Sequence, residues 1–111
     1  MRIDATETAD GLIVTVEEAR IDAMIAIPFK DRLRELAVGT GAARVVMDLS
    51  RVDFIDSSGL GAIVASMKAL APRPLELAGL TPTVAKLFRL TRMDSVFTIH
   101  PHPVPPAADG S

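Results

Sequence analysis

The chain has 111 residues, 49% of them apolar, enough to bury one core without disulfides or a structural metal. It contains no cysteine, which excludes disulfide frameworks, thiolate metal sites and cysteine nucleophiles together, and fits a reducing compartment. Its net charge of −2, with acids and bases interspersed, offers no one-signed field to nucleic acid or an anionic membrane and points to proteins as partners.

The first ten residues carry acids and no apolar stretch of signal-peptide type. The longest weakly polar run, Gly59 to Met67, stops at Lys68 and is too short to span a bilayer, so a soluble, cytoplasmic chain without membrane insertion is expected. Asp10-Gly11 separates Arg2 to Thr8 from the β-branched run Leu12 to Val16, which predicts an antiparallel hairpin. Pro28 suits a first helical turn, and Phe29, Leu33, Leu36 and Ala37 recur at helical spacing, predicting a helix from Ile27 that Gly39 and Gly41 end.

Val45 to Leu49 is brief and begins β-branched, as a buried central strand would. Leu60, Ile63, Val64, Met67 and Leu70 then form one apolar helical stripe, with capping residue types at Asp56-Ser57-Ser58 and a stop at Pro72 and Pro74. Leu75 to Ala78 is a further strand, and the strand-helix-strand succession predicts a right-handed parallel crossover. Thr81-Pro82 opens a third helix as cap and first-turn residue, with Val84, Leu87 and Phe88 inward. A last strand is expected around Val96 to Ile99. Residues 100–111, with four prolines, have the composition of a disordered tail, leaving one domain over 1–99 and no internal repeat.

The segment from Val45 to Val64, which includes Val-Val-Met-Asp-Leu and Phe-Ile-Asp-Ser-Ser-Gly-Leu-Gly, resembles the signature of the STAS family, specifically bacterial anti-sigma-factor antagonists. Thr81 to Phe88 is similar to that family's third helix, and the element order from Met1 to about Ile99 is the family's own. The resemblance implies an α/β fold of STAS type, a mixed four- to five-stranded sheet with helices mainly on one face. It also implies a non-enzymatic protein without cofactor or metal that regulates transcription by binding an anti-sigma factor. In that family the anti-sigma factor is often a serine kinase that phosphorylates the first serine of Asp-Ser-Ser-Gly, here Ser57, with Ser58 as the alternative acceptor. A serine phosphatase would reset such a switch. The partner-binding residues so implied are Asp22, Asp56, Ser57, Ser58, Gly59 and Leu60. Family members usually carry Gly-Glu-Leu-Asp after the second strand, where this chain has Ala19-Arg20-Ile21-Asp22, so Asp22 keeps the acidic contact position while the glycine and glutamate are absent.

The residues support a switch on their own terms. A serine at a helix start is exposed and near free backbone N–H groups, and phosphorylation adds up to about two negative charges beside Asp56, Asp53 and Asp22. Blander readings stand beside this one. Asp56-Ser57-Ser58 is also an ordinary capping cluster, and Asp22 an ordinary loop carboxylate. Gly59 and Gly61 do not make a phosphate cradle, since Val64 stands where a third glycine belongs and no lysine follows; close helix packing accounts for them. Met24, Met47, Met67 and Met93 are expected in or near the core. His100 and His102 lack a third metal ligand, and Lys86, Arg89 and Arg92 form a basic stripe of solvated type on one helix. Two other functions remain in view: a STAS adaptor subunit of a lipid-transport or stress-signalling complex, and an enzyme with Ser57 as nucleophile. The second lacks a positioned base and a Gly-x-Ser-x-Gly elbow.

Overall fold

The computed structural model describes residues 1–9 and 11–102. Asp10 of the expected turn and residues 103–111 of the expected tail lie outside the described residues. Strand β1 (Ile3–Glu7) pairs antiparallel with β2 (Leu12–Val16), Ile3 opposite Val16 and Glu7 opposite Leu12. Parallel ladders follow from β2 to β4 (Val45–Asp48), from β4 to β6 (Leu75–Ala78), and from β6 to β7 (Ile99–His100). The five-stranded mixed sheet therefore runs β1-β2-β4-β6-β7. Strands β4 and β6 are buried along their whole length, as their near-continuous apolar runs require of central parallel strands.

Side chains alternate between the two faces of each strand. The row Val14, Met47 and Leu77 lies on one face and joins Phe29, Leu33, Ile63, Val84 and Phe88 from the helices in a single core. The row Ile13, Val46 and Glu76 lies on the other. Helix α1 (Ala26–Val38) buries Phe29, Leu33 and Ala37, and α3 (Pro82–Leu90) buries Val84 and Phe88. Helix α2 (Ser57–Leu70) buries Gly59, Ala62, Ile63, Ser66 and Leu70, while Leu60, Val64 and Met67 of the expected stripe are only partly buried. The buried face of α2 is thus turned toward small residues, which let α1 pack closely; the Ser66 hydroxyl, enclosed there, donates to the Ala62 carbonyl at 2.8 Å.

Several expectations need correction. Strand β7 starts at Ile99 and includes His100; Met93–Ser95 form a short 3₁₀ turn, and Phe97 beyond it sets its ring edge-on to Phe88, 6.0 Å between centroids. His100 is accordingly part of the sheet, with Nε2 2.7 Å from the Glu76 carboxylate. Arg92 lies past the end of α3 with a left-handed backbone (φ 60°), so the expected basic stripe does not ride on one helix. Met24 is 86% exposed, outside the core. Thr81 stands at the N-cap of α3, but its hydroxyl donates to the Val52 carbonyl at 2.8 Å rather than capping the helix.

Two further strands, β3 (Arg20–Ile21) and β5 (Phe54–Ile55), form a separate parallel pair. Two residues are too few to display a period-2 pattern, which is why the sequence does not announce them. Their pairing brings the segment after β2 against the segment that leads into α2.

Candidate functional site

The N-terminus of α2 is built around Asp56. This residue is the N-cap, in extended conformation, and its Oδ1 accepts the Gly59 N–H at 2.8 Å. Its Oδ2 reaches across to accept the Ala23 N–H at 3.2 Å, and its own N–H donates to the Ile21 carbonyl at 3.3 Å. One carboxylate thus satisfies an orphan helix donor and ties α2 to the loop that precedes α1. Asp22 orders that same loop: Oδ1 accepts the Met24 N–H at 3.1 Å, and its carbonyl accepts the Ile25 N–H at 3.1 Å. The Arg20 guanidinium lies 3.5 Å from Asp22, two residues along the same segment, and 4.3 Å over the Phe54 ring, bridging β3 to β5 through a cation–π contact.

Gly59 is buried at the point where α2 meets β3. A Cβ there would collide with the Ile21 carbonyl, so the absence of a side chain is what allows the helix to seat. Ser57 and Ser58 are both exposed, at the first two positions of α2. They face different ways. Ser57 borders a cleft with Leu60, Val64, Lys68 and Met93, whereas Ser58 borders one with Ala26, Ile27 and Lys30. Leu60 is half-buried between them and the core.

The structure therefore brings the six residues singled out from the sequence into one neighbourhood and gives them different work. Asp22, Asp56 and Gly59 hold the site's backbone; Ser57, Ser58 and Leu60 present its surface. Sequence reasoning missed the Ile21 carbonyl and the Ala23 N–H, backbone groups that no pattern marks. It also missed Ile27, 69% exposed beside Ser58, whose place two positions before Phe29 sets it off the buried stripe of α1.

The STAS domain model matches residues 2–104. The chain belongs to the STAS domain family. The anti-sigma-B factor antagonist of Listeria monocytogenes is 35% identical over 81 residues, spanning 71% of this chain and 70% of that protein. Among solved structures, an anti-sigma-factor antagonist (STAS) domain protein from Planctomyces limnophilus superposes with a TM-score of 0.80 over 98% of both chains at 18% identity. The anti-sigma factor antagonist SpoIIAA in its unphosphorylated form gives 0.70 over 88% of this chain and 87% of its own, at 17% identity. At those identities the structures speak for the fold alone, and the mixed sheet with its three helices is the STAS fold. Among the described residues no helix is long and apolar enough to cross a membrane, and no group of three or more His, Cys, Asp or Glu side chains is placed to hold a metal.

Proposed function

We propose that this STAS domain is an anti-sigma-factor antagonist that binds an anti-sigma factor with serine kinase activity through the surface at the start of α2, and that a phosphate on Ser57 releases it. The observation that carries this reading is the division of labour at the site. Both Asp56 oxygens are engaged within the fold, while the adjacent Ser57 hydroxyl is exposed at the first helical position. A phosphate there is tolerated by the helix N-terminus, yet places about two negative charges on the binding surface beside Asp56. A loss of about 3 kcal/mol at the centre of an interface weakens binding roughly hundredfold, enough for release.

The test uses wild type, Ser57→Ala and Ser57→Asp as baits in lysate of the source organism with ATP and magnesium, with mass spectrometry of bound proteins and of the wild-type bait. Capture of an ATP-binding anti-sigma kinase by wild type and Ser57→Ala but not by Ser57→Asp, with phosphate on Ser57, is the expected result. Recovery of the same transporter or scaffold proteins by all three baits, with Ser57 unmodified, would replace this reading by that of a STAS adaptor.

A further inference from the structure

Gly61 poses a question that the fold does not answer. It sits in the interior of α2 with an ordinary helical backbone, and a Cβ added there would meet nothing within 4 Å. Glycine in a helix interior is less stable than alanine, and here nothing inside the molecule uses the missing side chain, in contrast to Gly59 two residues earlier. A bare backbone on an exposed helix is of use to something that approaches from outside.

The surroundings say what that is. Gly61 and Ala65 border both clefts at once, that of Ser58, Ile27 and Lys30 (≈ 220 Å³) and that of Ser57, Val64, Lys68 and Met93 (≈ 440 Å³). The ridge between the clefts carries only small side chains at these two positions, and the two clefts together flank a saddle along α2 from Ser57 to Lys68, about 16 Å or three helical turns. Small residues on a ridge are what allow a second helix to pack at short interaxial distance. Neither cleft is bordered by a carboxylate, α2 contains no acidic residue, and neither Lys30 nor Lys68 has an ion-pair partner among the described residues. The acids of α1 are turned elsewhere, Asp31 to Arg34 and Glu35 to Arg32.

We infer that this saddle seats an amphipathic α-helix of a protein partner, its apolar face against Gly61 and Ala65 and its flanking carboxylates on Lys30 and Lys68. The inference rests on the reading of the chain as a protein-binding module, but not on phosphorylation; it adds that a phosphate on Ser57 would stand at the head of the saddle and repel an acidic occupant.

The probe is a stapled helical peptide of about 14 residues, with Leu and Ala on one face and Glu on both flanks, alongside its Glu-to-Lys counterpart. Each is titrated into the full ¹⁵N-labelled chain. The acidic peptide is expected to shift the amides of Ser58, Gly61, Ala65 and Lys30 and the lysine peptide to leave them in place. Gly61→Trp should weaken the acidic peptide at least tenfold, and Lys30→Glu with Lys68→Glu should reverse the preference. Gly61→Ala should raise Tm, by roughly 2–8 °C, while weakening the peptide. The inference falls if no shift appears, if both peptides bind alike or elsewhere, if Gly61→Ala leaves Tm unchanged, or if sedimentation shows the chain pairing with itself through this face. Failure of Ser57 to be modified in the bait experiment would leave these titrations unaffected, so the two readings fail separately.

Discussion

At the scale of single residues, the site depends on one carboxylate and one missing side chain. Asp56→Ala removes a helix cap and the tie to the Ala23 N–H together, and should destabilise the protein by about 1–3 kcal/mol in urea unfolding. Gly59→Ala drives a methyl group into the Ile21 carbonyl and should destabilise by about 1–3 kcal/mol, although alanine is the better helix former. If Gly59→Ala unfolded at the same urea concentration as wild type, the close approach of α2 to β3 would be wrong. What the sequence revealed here follows from the same physics. Asp56, Ser57 and Ser58 were legible as a helix start because capping chemistry is local. The Ala23 N–H that Asp56 also accepts lies 33 residues away on the backbone of another segment, and no composition or spacing encodes that meeting.

At the scale of elements, long periodic segments were readable and short ones were not. The three helices appeared where apolar residues recur at helical spacing, and β4 and β6 where brief apolar runs are framed by turn residues. The last strand was expected three residues early because Val96 to Ile99 looks like a strand, while the organiser of this segment is Phe97, buried against Phe88 by an aromatic contact rather than by alternation. That contact anchors the 3₁₀ turn and β7 to α3. Phe97→Ala is therefore expected to destabilise the domain by about 3–5 kcal/mol, read as a lower urea midpoint. Near-wild-type stability of this variant would mean that β7 is held by its two-residue ladder with β6 and not by the ring. The stripe on α2 was likewise right in period but shifted in phase, since Ala62 and Ser66 are buried through closeness to α1 rather than through hydrophobicity.

At the scale of the whole molecule, the sheet separates the proposed binding surface from an unrelated stabilising network. The helices and the Ser57 surface belong to the face of Val14, Met47 and Leu77, whereas the opposite face carries Glu76 between Arg44, at 3.0 Å, and His100, at 2.7 Å. Glu76 is nearly buried and both its partners are about one-third exposed, so solvent screens the pair only in part. This network joins the residue that leads into β4 to β6 and to the edge strand β7, which would otherwise be held to the sheet by few hydrogen bonds. Glu76→Gln keeps the shape and removes the charge, and should destabilise by about 1–2 kcal/mol. Because it lies across the sheet from α2, it should leave affinity for the partner unchanged. Ser57→Asp should do the reverse: the helix N-terminus accepts the added carboxylate, so the unfolding free energy should stay within about 0.5 kcal/mol of wild type while partner binding is lost. Measuring both variants by unfolding and by binding gives a crossed result, stability falling in one and affinity in the other. A Ser57→Asp variant that lost affinity only by unfolding would show that charge at this position acts on the fold and not on the surface it presents.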